Sequence, residues 1–376
     1  YLLWTLIDGT ASRLSMDIDR ANWDFYSKTL RGAIAQEPLE KRSIRTVNGT
    51  LGEALGKLYV SEKFPPEAKA QMKELVGNLV KAYTNRINAL AWMDAETKAK
   101  AIKKLELTNV KVGYPDQWED YSGLTLTNET AELNYFDAML NVGAYNFSKN
   151  LAELGQAVDK TKWFMSPQTV NAYYNPAYNE IVFPAAILQP PFFDFTADAA
   201  LNYGGIGGVI GHEISHGFDD SGADYDAYGN LVNWWTEKDL NEFNSLGEKL
   251  ADQYSALEVL PKTFINGKFT LGENIGDVGG IHAAFDALAI HHEENGKPAP
   301  IDGFSSEERF FLSWGTIWRG KIRDEALKNQ VRTDPHSPGY NRANQPLKNM
   351  DAFYATFNVQ EGDQMYLPKE ERVYIW

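Results

Sequence analysis

The sequence predicts a mainly α-helical protein with a small β-sheet, and its 376 residues suffice for two packed units. Three observations predict it. Apolar residues recur at helical spacing through much of the first 112 residues, one stretch near the middle alternates β-forming residues, and helical spacing returns from Tyr203 onward.

The elements follow in order. "SEKFPPEAKAQMKELVGNLVKAYTNRINAL" carries Pro66 in its opening turn and Met72, Leu75, Val76, Leu79, Val80, Tyr83, Ile87 and Leu90 on one face, which reads as a core-packing helix. "DAETKAKAIKKLELTNV" follows, with Asp94 as its N-cap and Glu96 and Lys100 one turn apart. "GYPDQWEDYSG", Gly113 to Gly123, is rich in turn formers and is the expected hinge. "TVNAYYNPAYNEIVFPAAILQPPFF" reads as a strand or hairpin ending in a bend at Pro190-Pro191. Further helices are expected around Glu237–Tyr254, Val278–His292 and Glu307–Leu327. The resulting division is a helical region over 1–112, a linker region over 113–150 and a third region over 151–376.

Composition narrows the function. The chain is 43% hydrophobic and 13% aromatic, as globular proteins are. A net charge of −15 disfavours nucleic acid or an anionic membrane surface as main partner. No apolar run approaches the roughly 18 residues of a membrane span. Cysteine is absent, so disulfides and thiolate chemistry are excluded, and a zinc site must use histidine and carboxylate. The start, "YLLWTLIDGT", lacks an initiating Met, a basic flank and a cleavage site, so the chain reads as a piece of a longer protein.

Two of the six histidines stand in "GGVIGHEISHGFDD". His212 and His216 are i and i+4, so on a helix both imidazoles reach one ion. Glu213 points to the side, where it can take a proton from a water on that ion without ligating it. Two satisfied core histidines are the alternative that these residues by themselves leave open. A metzincin site is excluded, because Asp219 and Gly222 stand where glycine and histidine are required. "DYDAYG" is no calcium loop, since Tyr228 and Trp235 occupy ligand positions. Gly204, Gly207, Gly208 and Gly211 fit no phosphate-binding pattern and are expected to let another backbone pack close. "GENIGDVGG" offers a third donor: Glu273 and Asp277 share a face of a second, short helix. Glu273 can complete a His₂Glu set and Asp277 can fix a histidine tautomer. Taken alone, that pair is an ordinary solvated helix face.

"VIGHEISHGFDD", "GENIGDVGG", "NAYYNP" and "HSPGYNR" together resemble the neprilysin (M13) family of zinc endopeptidases, of the bacterial PepO type. "NWDFYSKTL" and "TVNGTLGEALGKLYV" look like family segments too. The likeness runs from end to end of the chain and covers about the C-terminal half of a family member. It implies a zincin (thermolysin-like) catalytic domain over 151–376 with a small β-sheet, plus part of a second all-helical domain that covers the active site. It implies one Zn²⁺ per chain held by His212, His216 and Glu273, with Glu213 as general base and Asp277 behind a ligand. Asn171 and Ala172 would bind the substrate backbone. His336 would stabilise the oxyanion, with Asp334 orienting it, and Arg342 would grip a substrate carbonyl. Ile187, Phe192, Val209, Ile317 and Trp318 would form the apolar pocket for the residue after the scissile bond.

The expected function is therefore zinc-dependent hydrolysis of oligopeptides, on the amino side of hydrophobic residues, by a zinc-bound water activated by Glu213. The rival is a catalytically silent, zinc-containing peptide-binding protein on the same fold. A zinc aminopeptidase would need an acidic residue placed to catch a free α-amine, and no such motif stands out. The expected partners are oligopeptide substrates and the missing N-terminal half, in cis or as a separate fragment. The ending "ERVYIW" resembles bacterial members, and a periplasmic or extracellular location is favoured over a cytoplasmic one. The sequons at Asn48, Asn128 and Asn146 are read as chance in a cysteine-free bacterial chain.

Overall fold

A computed structural model describes residues 1–126 and 134–376; the Asn128 sequon and part of the 113–150 range lie outside the described residues. The first helices are α1 (Leu2–Thr10), α2 (Met16–Trp23), α3 (Leu39–Thr50), α4 (Gly52–Lys63), α5 (Pro66–Ala89), α6 (Ala95–Glu106) and α7 (Tyr135–Ala152). Then come α8 (Ala199–Asn202), α9 (Gly208–Ser215), α10 (Glu237–Ser255), α11 (Leu271–Asn295), α12 (Ser306–Ile317), α13 (Asp324–Thr333), α14 (Gly339–Lys348) and α15 (Asp351–Phe357). The strands are β1 (Asn109–Gly113), β2 (Tyr173–Asn175), β3 (Glu180–Pro184), β4 (Glu258–Leu260) and β5 (Thr263–Phe264).

The chain forms two compact units, each discontinuous in sequence. One comprises Tyr1–Tyr59, Pro115–Ser166 and Ile322–Asn329, the other Val60–Tyr114, Pro167–Lys321 and Gln330–Trp376. These differ from the continuous ranges read from the sequence, and the reason is packing. The apolar face of α5 (Met72, Leu75, Leu79, Tyr83 and Ile87) is fully buried, and α5 lies against α11 within the second unit. The unit boundary at Tyr114–Pro115 falls inside the expected hinge.

Within the first unit, the Asp19 carboxylate accepts from the Arg42 guanidinium at 2.7 and 2.8 Å and from the Gln36 amide at 3.1 Å, tying α2 to α3. The Glu53 carboxylate accepts from the Glu119 N–H at 2.7 Å, and Lys149 of α7 pairs with Glu119.

In the second unit, β3 is central and wholly buried, parallel to β1 and antiparallel to β2. That leaves β2 as an edge strand, with Tyr174 opposite Ile181. The β2–β3 turn places Asn179 at φ +46°, a left-handed conformation that asparagine tolerates. Its amide donates to the carbonyls of Lys104 and Ala227 at 2.9 and 3.0 Å.

Several local expectations change. Asp94 occupies the N-cap position of α6 but makes no side-chain cap; its carboxylate accepts from Lys238 at 2.6 Å. The Glu307–Leu327 helix divides into α12 and α13, with the poor helix former Gly320 in the break. The short helix expected around Glu273 is the start of α11, which runs 25 residues.

Candidate metal and catalytic site

His212, Glu213 and Ile214 lie in the last turn of α9 and are buried; His216 caps its end. The helix is continuous from Ala199, through a π-helical turn at Tyr203–Gly207. Such turns are favoured near functional sites. Its apolar and glycine-rich sequence suits burial on all sides, and α9 packs on α11. A Cβ on Gly211 would lie 2.5 Å from the Gly280 carbonyl oxygen, and one on Gly276 would lie 2.7 Å from His212 Nδ1. The backbones therefore cross at contact distance, which brings Glu273, one turn before Gly276, up to the histidines. Gly204 likewise faces the Phe310 backbone and Gly208 the Trp314 ring, whereas Gly207 meets only residues of its own helical segment.

The donor atoms of His212, His216 and Glu273 all lie within 4.8 Å of one another. Glu273 Oε2 stands 3.1 Å from His212 Nε2 and 3.6 Å from His216 Nε2. This oxygen is buried without a hydrogen-bond partner of good geometry. Donors about 2.0–2.2 Å from a tetrahedral zinc are spaced about 3.3–3.6 Å apart, so this set fits zinc. Nitrogen and carboxylate donors without thiolate agree with that choice.

Each imidazole is braced from behind. Asp277 Oδ1 lies 2.9 Å from His212 Nδ1. Arg342 grips the same carboxylate in a fork, Nε donating to Oδ2 at 2.8 Å and Nη2 to Oδ1 at 2.7 Å. All three groups are buried. Burial opposes ionisation of Asp277, yet the Arg342 charge and the hydrogen bonds to Arg342 and His212 together outweigh it and hold the carboxyl below its usual range. On the other imidazole, Asp219 Oδ2 lies 2.6 Å from His216 Nδ1. Asp219 Oδ1 accepts from the backbone N–H groups of Ser221 and Gly222 at 2.9 and 2.6 Å. Carboxylate partners of this kind fix ring tautomer and orientation. From α5, the Tyr83 hydroxyl donates to the Gly211 carbonyl at 2.7 Å and lies 2.7 Å from Ser215 Oγ, holding the metal helix across its buried side.

Sequence reasoning passed over Asp219 and Tyr83. For Asp219 a signal exists, an aspartate one turn after the second histidine. For Tyr83 none does, because a tyrosine on an apolar helix face looks like any core residue.

Glu213 is buried beside this donor set, and burial pushes its carboxyl up from the ordinary carboxylate range. His336 reaches in from the loop before α14, with Nε2 3.2 Å from Glu273 Oε2. Its Nδ1 lies 2.7 Å from Asp334 Oδ1, which also accepts the His336 backbone N–H at 2.9 Å. The Glu273 carboxylate raises the His336 ring against the opposing effect of burial. Ser337 donates to Asn274 at 2.8 Å, tying this loop to α11.

Asn171 is exposed and Ala172 buried, both just ahead of edge strand β2. A cavity of about 330 Å³ opens beside the donor set, lined in part by Tyr174, His216, Asp220, Phe269, Glu273 and Pro335. None of Ile187, Phe192, Val209, Ile317 and Trp318 lines it. Ile187, Val209 and Ile317 are buried, and the Trp318 ring lies 3.9 Å from the Arg342 guanidinium. Among the described residues, no helix is long and apolar enough to cross a membrane.

Comparison with known proteins agrees with this geometry. Residues 171–373 match a model of peptidase family M13, and residues 1–115 match the N-terminal model of the same family. The presence of that N-terminal match does not support the expected absence of the family's N-terminal portion. An endothelin-converting enzyme homolog of Locusta migratoria is 38% identical over 97% of this chain and 51% of its own length. A neutral endopeptidase of Lactobacillus helveticus is 36% identical over 100% of this chain and 56% of its own. A Mycobacterium tuberculosis zinc metalloprotease, solved with an inhibitor, superposes with a TM-score of 0.92 at 46% identity, covering 99% of this chain and 56% of that one. The chain spans about half the length of the curated relatives it matches. With family models covering both its N-terminal and its metal-bearing portions, and a helix pair that fits zinc, the chain belongs to peptidase family M13.

Proposed function

We propose that this chain carries the catalytic centre of a zinc metalloendopeptidase that hydrolyses oligopeptides. The observation that carries the reading is a buried carboxylate, Glu213, beside a His212–His216–Glu273 set of zinc-ligand spacing. Zinc held by these three residues supplies Lewis-acid polarisation of a water and of the scissile carbonyl. Glu213, its carboxyl raised by burial, takes a proton from the attacking water and passes it to the departing amine. His336, braced by Asp334, donates an N–H to the oxygen that gains negative charge. Asp277 and Asp219 hold the ligand rings in place.

Substrate backbone pairs along the β2 edge, where Asn171 offers its amide and Ala172 its carbonyl. Arg342 completes the grip on a substrate carbonyl with the donor capacity that Asp277 leaves open. Ile187, Phe192, Val209, Ile317 and Trp318, which lie outside the lining of the cavity beside the donor set, are the apolar group we assign to the side chain after the scissile bond, which would give cleavage on the amino side of hydrophobic residues.

The test compares wild type with Glu213→Gln for zinc content and cleavage of a quenched peptide. The expected result is one zinc in each protein, with turnover in the variant lower by about 10²–10⁴-fold. Undiminished cleavage by zinc-stripped protein would overturn the metal reading. Peptide binding without turnover by wild type would assign the chain to a silent peptide-binding protein instead.

A further inference from the structure

Lys104 of α6 is only 1% exposed, and the site chemistry leaves it without a role. Its ammonium donates to the carbonyls of Gly222 and Tyr225 at 2.7 and 2.6 Å. The rings of Tyr174, Phe218 and Trp234 surround it, with centroids 6.0, 5.8 and 5.7 Å away. Burying a cation is costly unless it is well partnered. Burial pushes this amine down to about 7 while Asp219 and Asp226 act to hold it up. A methionine or leucine would fill the same space without that cost, so the cation's use lies in what it grips.

Gly222 supplies the connection. Its carbonyl is held by Lys104, while its N–H donates to Asp219 Oδ1. The other oxygen of Asp219 meets His216 Nδ1. The loop is folded directly onto the end of α9: a Cβ on Gly222 would lie 1.8 Å from the His216 carbonyl oxygen. Three successive contacts thus run from Lys104 to the outer nitrogen of a ligand ring.

We infer that Lys104 is a positioning residue for the metal site, which grips the Gly222 and Tyr225 carbonyls and so fixes the loop through which Asp219 orients His216. The inference rests on His216 being a zinc ligand. Ring orientation sets ligand strength, and loss of a partner behind a ligand costs about 10–100-fold in metal affinity.

The experiment measures zinc affinity by competition with a chromophoric chelator, and the visible spectrum of the cobalt(II)-loaded protein. Lys104→Gln keeps one or two N–H donors without the charge, and Lys104→Met removes both. Each is compared with Asp219→Asn, with the double variants, and with His216→Ala. The expected result is zinc affinity about 10-fold weaker or more in Lys104→Met. A shifted cobalt spectrum should accompany it, with a smaller effect in Lys104→Gln and little further loss when either is added to Asp219→Asn. Wild-type affinity and spectrum in folded Lys104 variants would overturn the inference, as would losses that add fully to that of Asp219→Asn. Failure of both Lys104 variants to fold even with saturating zinc would also overturn it, assigning the lysine to the fold. Unchanged affinity in His216→Ala would instead sink the ligand assignment itself, which separates the two failures.

Discussion

Gly211 of α9 and Gly280 of α11 lie back to back, so close that a Cβ on Gly280 would stand 2.5 Å from the His212 backbone nitrogen. Neither neighbour is a flexible side-chain tip that could swing away. Gly211→Ala and Gly280→Ala should each force the helices apart and destabilise the fold by about 1–3 kcal/mol or more. They should also weaken zinc binding, because Glu273 rides on α11. Denaturant unfolding of the metal-free protein, followed by zinc titration, checks both. Wild-type stability in either variant would contradict the close crossing.

Asp277 serves two buried partners at once, His212 and the Arg342 fork. Asp277→Asn keeps the shape and removes the charge, leaving the guanidinium buried and unneutralised, which costs about 3–5 kcal/mol. Zinc affinity should fall about 10–100-fold in the same variant. Arg342→Met alone should hurt stability but spare much of the zinc affinity, since the Asp277–His212 contact survives. Equal zinc loss in both variants would place the arginine, and not the carboxylate, in charge of the ring.

Tyr83→Phe removes the hydroxyl that the Gly211 carbonyl and Ser215 share in a fully buried setting. A lost buried hydrogen bond of this kind costs about 1–3 kcal/mol. The metal-free protein should melt several degrees lower, while peptide turnover at saturating zinc stays near wild type. A large loss of turnover with unchanged melting would show that the hydroxyl acts on chemistry.

His282 on α11 is buried and donates its Nδ1–H to the Val278 carbonyl at 2.7 Å. Burial pushes its ring down from 6.5 to about 4. Between those two values the unfolded chain binds the proton and the folded chain does not, so stability falls as pH falls through that window. The full difference approaches about 3 kcal/mol at low pH. Urea unfolding of metal-free wild type and His282→Asn, each at pH 7, 5.5 and 4, isolates it from the other histidines. The variant should show the shallower decline, and parallel declines would refute it.

Local geometry explains what was readable in advance. Helix α5 opened at Pro66 and buried Met72, Leu79 and Tyr83 as its pattern required, because a helix repeats the same spacing wherever it packs. The break at Gly320 and the use of Asp94 were not readable, since both depend on what lies across from them. Lys238, far along the chain, takes the Asp94 carboxylate away from its own helix.

The sequence by itself determined that His212 and His216 share a helix face with Glu213 beside them, because i, i+4 spacing is a property of one turn of backbone. Only the tertiary structure decided how that face becomes a three-donor site with its supports. Glu273 arrives through a glycine crossing, Asp219 through a loop that folds back on Gly222, and Tyr83 and Lys104 from helices earlier in the chain. These contacts join residues whose separation along the chain carries no periodic signal, so they exist only once the apolar faces have packed.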